Sequence, residues 1–101
     1  MRRMGSGYVG ILSAELHFPE SHSLKEKRHH LRSAKQRLQN MGAAVAEVDH
    51  HDVWQRARLT LSCVTREYVE AERLLDEAER YLSGQEYELG SRTREVVTLD
   101  D

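Results

Sequence analysis

His50, His51 and Asp52 stand side by side within "EVDHHDVWQRARLTLS", with Trp54, Gln55 and Arg56 directly behind them. These residue types suit metal binding or proton transfer. A zinc site needs three or four converging nitrogen, sulfur or oxygen ligands. Adjacent residues of an extended chain point to opposite sides. The two histidines would therefore serve one metal only on a twisted loop, with His22 or Asp52 completing the set. No recognised ligand spacing is present, so no metal and no cofactor is assigned. Glu15, His17, Glu47 and Asp49 are a second candidate group, expected together on one sheet face. Carboxylates beside a histidine can tune one another for acid/base work, or they can form an ion-pair network with Arg58. The plainer reading of the loop has His50 ending a strand, Asp52 capping a turn and Trp54 packing over the sheet edge. Cys63 falls in phase with Leu59 and Leu61 and reads as a buried, inert thiol. No catalytic residue is assigned, and an enzyme is the less favoured reading.

Binding chemistry has a stronger signal. Residues 24–39 carry Lys25, Lys27, Arg28, Arg32, Lys35 and Arg37 against Glu26 alone, a balance of +5. Such a density attracts phosphate, or it is the solvated face of a helix. The charge is also divided along the chain. Residues 1–65 hold ten Lys/Arg and six Asp/Glu, whereas residues 66–101 hold five and eleven, which leaves −2 for the whole.

The 101 residues, 39% hydrophobic and 32% charged, suit one folded domain rather than a disordered chain. No apolar run has the length of a membrane span. The opening "MRRMGSG" is basic but lacks the apolar stretch of a signal peptide, and there is one cysteine. These features point to a cytoplasmic protein. Residues 1–7 are expected to form a flexible tail and residues 8–99 a single domain.

Hydrophobic periodicity supplies the elements. "GYVGILSAELHFP" alternates as a strand. "SLKEKRHHLRSAKQRLQNMG" follows as a helix, with Ser23 and Glu26 spaced for a capping box and Gly42 as its stop. "AAVAEVD" and "ARLTLSCVT" are strands. "REYVEAERLLDEAERYLSG" is a second amphipathic helix, and "EYELGSRTREVVTL" a last strand that Gly90 interrupts. The order β-α-β-β-α-β specifies an α+β, ferredoxin-like fold: a four-stranded antiparallel sheet with two helices on one face. Its usual strand order, fourth-first-third-second, places the loops "PESHS", "HHDVWQ" and "SGQE" at one end, near the start of the basic helix. The open sheet face is expected to show Ser13, Glu15, His17, Arg58, Thr60 and Ser62. None is aromatic, so base stacking on the sheet, as in RNA-recognition motifs, is not expected. The first loop has neither the glycine and arginine of a phosphate cradle nor a Cys-x-x-Cys metal motif.

"HSLKEKR" at the helix start and "AEV-x-HHD-x-WQRA" in the hairpin together resemble the YlxP-like family, a bacterial domain of unknown function. The resemblance extends over residues 8 to 99. It implies a ferredoxin-like fold, a cytoplasmic location and a gene set among translation and ribosome-maturation genes. It brings no catalytic residue with it.

The resulting expectation is a non-enzymatic accessory protein, associated with RNA or the ribosome. Lys25, Lys27, Arg28, Arg32 and Lys35 would contact phosphate. His22, His50, His51, Asp52, Trp54, Gln55 and Arg56 would form a partner-binding loop. The alternatives are a metal-dependent or acid/base enzyme using His22, His50, His51 and Asp52, and an oligomeric small-molecule sensor. Val9, Ile11, Val45 and Val64 are expected on the open face, and the second and fourth strands are edges. Both features call for a homodimer, or a dimer of dimers.

Overall fold

The structure is a computed structural model that describes residues 5–100. Its elements are β1 (Gly5–His17), α1 (Leu24–Asn40), β2 (Ala44–Asp49), β3 (Arg56–Thr65), α2 (Tyr68–Ser83) and β4 (Glu88–Asp100). All strand pairs are antiparallel and the order across the sheet is β2-β3-β1-β4. This is the expected ferredoxin-like arrangement, with β2 and β4 as edges.

Alternation along the two central strands builds the core. Leu12, Ala14 and Leu16 of β1 and Ala57, Leu59 and Leu61 of β3 are buried on the helix side. Against them α1 lays Leu31, Ala34 and Leu38, and α2 lays Ala71, Leu75, Ala78 and Leu82, at helical spacing. Phe18 and Tyr87, from the loops at one end, close the core. Cys63 is buried, as its phase predicts.

The start of α1 is fixed locally. Ser23 is extended and its Oγ accepts a hydrogen bond from the Glu26 backbone N–H at 3.2 Å. The return bond differs from a standard capping box: the Glu26 carboxylate accepts from His22 N–H at 3.1 Å, one residue before the cap. The helix ends into Gly42 at φ 100°, a left-handed conformation that glycine adopts without strain. Gly90 also has a tertiary reason. A Cβ there would lie 2.8 Å from His17 Nε2, so any larger residue in β4 would have to displace that imidazole.

Three expectations are corrected. The expected tail over residues 1–7 falls partly outside the described residues, at 1–4; Gly5, Ser6 and Gly7 belong to β1 and extend it along β4. Val45 and Glu47 do not face the open side. They stand opposite Leu61 and Leu59, and directly paired residues share a face, so both point at the helices. A register shift between Glu47 and Asp49 returns Asp49 to the position opposite Arg58 on the open side. The β2 alternation was legible, but its phase against β3 was not.

Candidate functional site

Three of the loops do meet at one end, and Lys27 holds the one between β2 and β3. Its side chain is 1% exposed. The Nζ donates to the carbonyls of His50 at 2.7 Å, Val53 at 2.7 Å and Arg56 at 3.1 Å. Those three bonds use all three ammonium protons. Glu47 Oε2, 3.0 Å from Nζ and without a hydrogen bond of its own, supplies the compensating charge. The expectation that Lys27 contacts phosphate is therefore overturned: its charge is consumed inside the fold. Around this post the chain turns through His50 at φ 67°. Val53 N–H bonds back to His50 C=O at 3.1 Å, and Phe18 N–H to Gln55 C=O at 2.8 Å.

Trp54 is not the hairpin anchor; it is 48% exposed. His22, His51, Asp52, Gln55 and Arg56 are exposed with it. His50 turns the other way, to the open sheet face, where Nε2 lies 3.0 Å from Glu15 Oε2. Glu15 Oε1 accepts from Arg58 Nη1 at 3.3 Å, and Arg58 Nε and Thr60 Oγ1 both donate to Ser13 Oγ. This polar network ties β1 to β3 and to the loop. His22, His50, His51 and Asp52 do not converge. Among the described residues there is no group of three or more His, Cys, Asp or Glu placed to hold a metal ion. Burial pushes the Cys63 thiol up, away from nucleophilic use.

Four of the five remaining cations of α1 form one stripe. Lys25, Arg28, Arg32 and Lys35 follow one another at spacings of three and four residues, on one side of the helix. Lys25, Arg28 and Arg32 are exposed and Lys35 is half-buried. None of the four makes an ion pair among the described residues. Ten residues of helix give the stripe a length of about 15 Å. Glu47 lies near it, but its charge is held by Lys27.

A further group was missed in the sequence. Between α1 and α2 runs a groove with two adjoining parts. The open part, about 510 Å³, is lined by Arg32, Ser33, Gln36, Arg37, Asn40 and Tyr81. The second, about 280 Å³, is lined by His29, His30, Ser33, Tyr81, Gln85, Glu86 and Tyr87. Arg37 lies over the Tyr81 ring, 5.3 Å from its centroid. His30 stacks on Phe18 and meets Tyr87 edge-on, each with centroids 5.8 Å apart. Tyr87 is 6% exposed, and among the described residues its hydroxyl makes no hydrogen bond of good geometry; the Tyr81 side chain is the polar group beside it. Burial, and then the neighbouring Tyr81 side chain, push that hydroxyl well above the usual tyrosine range, so it stays protonated. The available signal was the spacing of His30, Ser33 and Arg37 along one helix face, with tyrosines at 81 and 87.

Comparison with known proteins gives the following. The fold is similar to a C-terminal segment of the alpha subunit of aIF2 from Pyrococcus abyssi, with a TM-score of 0.48 and 16% identity. That similarity covers 92% of this chain and 51% of the other, so this chain spans about half the length of that segment. No curated protein matches the sequence. A family model matches residues 9–92, and the chain belongs to that family, described as a protein of unknown function (DUF503).

Proposed function

We propose that this chain is a non-enzymatic, cytoplasmic accessory factor that binds structured RNA in the translation or ribosome-maturation machinery. The observation that carries the reading is the α1 stripe: four cations in a row that make no ion pair among the described residues. Like charges at spacings of three and four residues repel one another along a helix, and phosphate relieves that repulsion. The YlxP-like resemblance of "HSLKEKR" and "AEV-x-HHD-x-WQRA" supports the translation context. The exposed His51, Asp52, Trp54, Gln55 and Arg56, with His22, form a second contact surface beside the stripe's start, held in shape by Lys27.

The test is a salt titration of binding to a structured ribosomal RNA fragment. Changing Lys25, Arg28 and Lys35 together to Glu removes three phosphate contacts. The slope of log K against log salt becomes shallower by about 2 to 3, and low-salt affinity falls by roughly tenfold or more. An unchanged slope, or a parent protein with no affinity at low salt, sinks the proposal.

We also propose a homodimer formed through the open sheet face. Val9, Ile11, Val64 and Val97 lie at the end of that face away from the Glu15 network, and Val64 is 75% exposed. Such an apolar end rimmed by polar residues suits self-association. Sedimentation equilibrium at micromolar concentration gives the dimer mass for the parent and the 11.7 kDa monomer for Ile11→Asp. A monomeric parent refutes the assembly, and a dimeric Ile11→Asp moves it to an edge strand.

A further inference from the structure

The α1–α2 groove lies outside the loop and the open sheet face, and three independent observations mark it as a ligand site. The first is an orphan. The Tyr87 hydroxyl is buried at the foot of the smaller recess and makes no hydrogen bond of good geometry among the described residues, the Tyr81 side chain being the polar group beside it. A buried donor left without a partner costs roughly 1–3 kcal/mol, a cost that a ligand atom accepting its hydrogen bond would remove. The second is shape. At about 280 Å³ the recess is just under the roughly 300 Å³ at which small-molecule sites begin. It has room for one ring system rather than a large cofactor, and its walls include the flat side chains of His30 and Tyr81. The third is a charge gradient. Glu86 lies at the recess end, while Arg32 and Arg37 line the open end, which shares Ser33 and Tyr81 with the recess.

We propose that this groove binds a single unpaired nucleotide, its base in the recess bounded by His30, Tyr81 and Tyr87 and its phosphate on Arg32 and Arg37. The gradient sets the direction, because a phosphate at the Glu86 end would meet a like charge. The base finds a planar partner in Tyr81, whose ring is held by the Arg37 guanidinium lying over it. Its edge finds the Tyr87 hydroxyl as donor. Gln85 spends an N–H on the Tyr81 carbonyl at 3.0 Å, which holds that side chain at the rim. The nucleotide's chemistry is the same whether it is free or belongs to a strand. The inference therefore stands beside the RNA reading of the stripe and does not depend on it.

Amide chemical-shift titration with the four nucleoside 5′-monophosphates, and with an unstructured adenylate octamer, tests it. Saturable shifts at His30, Ser33, Tyr81 and Tyr87 are expected. Tyr81→Ala weakens binding roughly tenfold, as loss of one stacked base does, and Arg37→Glu at least as much. Tyr87→Phe separates binding from folding. It removes only the orphaned hydroxyl, so the protein melts at the same temperature or higher while affinity falls several-fold. Tighter binding of the octamer than of any monophosphate assigns the site to a strand, and equal binding assigns it to a free nucleotide. Arg32 is shared by stripe and groove but Tyr81 is not, so Tyr81→Ala leaves the salt slope of structured-RNA binding unchanged and a failed stripe and a failed groove are distinguishable. The proposal is overturned if no probe gives saturable shifts at millimolar concentration, or if Tyr81→Ala and Tyr87→Phe both bind as the parent does.

Discussion

Along the outer side of α1, Lys25, Arg28, Arg32 and Lys35 have no acidic partner among the described residues, whereas across the domain the arginines of β4 are engaged in ion pairs. Arg94 reaches Glu72 at 2.6 Å, Asp76 at 2.8 Å and Glu79 at 2.7 Å, and Arg92 reaches Glu79 at 2.6 Å. The acidic face of α2 thus spends part of its charge on the neighbouring strand. In sequence both regions are dense in charge. Their difference lies in supply: α2 and β4 bring opposite signs to one seam, while β2, next to α1, brings only Glu47 to the helix side, and Lys27 takes it. Charge density alone does not indicate a binding surface. Under the proposed function, only cations that the fold has not already neutralised are free for phosphate.

The sharpest way to press this contrast lies within α1 itself, because Lys27 belongs to the same basic run as the stripe but is spent internally. Lys27→Met should destabilise the domain by about 3–5 kcal/mol, since it strands the Glu47 carboxylate and three carbonyls. Urea unfolding measures it. A loss below about 1 kcal/mol would mean that water replaces the ammonium and that the loop does not depend on it. The triple reversal at Lys25, Arg28 and Lys35 should leave the same unfolding curve close to the parent's.

A smaller effect is expected in the α2–β4 seam. Arg94 is partly exposed, and solvent screens its ion pairs, so Arg94→Ala should cost about 1 kcal/mol despite three short contacts. The seam should weaken further at high salt, and RNA affinity should stay at the parent level. If Arg94→Ala instead reduces RNA binding as strongly as the stripe reversal, both regions serve one electropositive surface and the contrast fails.

Much of this architecture was legible in the chain. The strand alternation of β1 and β3, the helical stripes, the Ser23 cap and the Gly42 stop act over a few residues, and they suffice to order the elements and their buried faces. The basic run on α1 was equally plain. Lys27 left a trace that was read past: it falls three residues after Leu24 and four before Leu31, on the buried stripe. A charged residue at such a position signals a buried partner, but its partners lie 20 to 29 residues away.

What only the tertiary structure decided shares that property. The phase of β2, which turns Val45 and Glu47 to the helices, depends on a register shift against β3. The exposure of Trp54 follows from Lys27, rather than an aromatic ring, filling the space beneath the loop. The meeting of His30 with Tyr81 and Tyr87 depends on how two helices, linked through two strands, lie beside each other. Short-range pattern dictates which faces are buried, because burial follows apolar area. Which polar groups meet is set by register and helix placement, because hydrogen bonds and ion pairs demand distances near 3 Å that no local periodicity encodes.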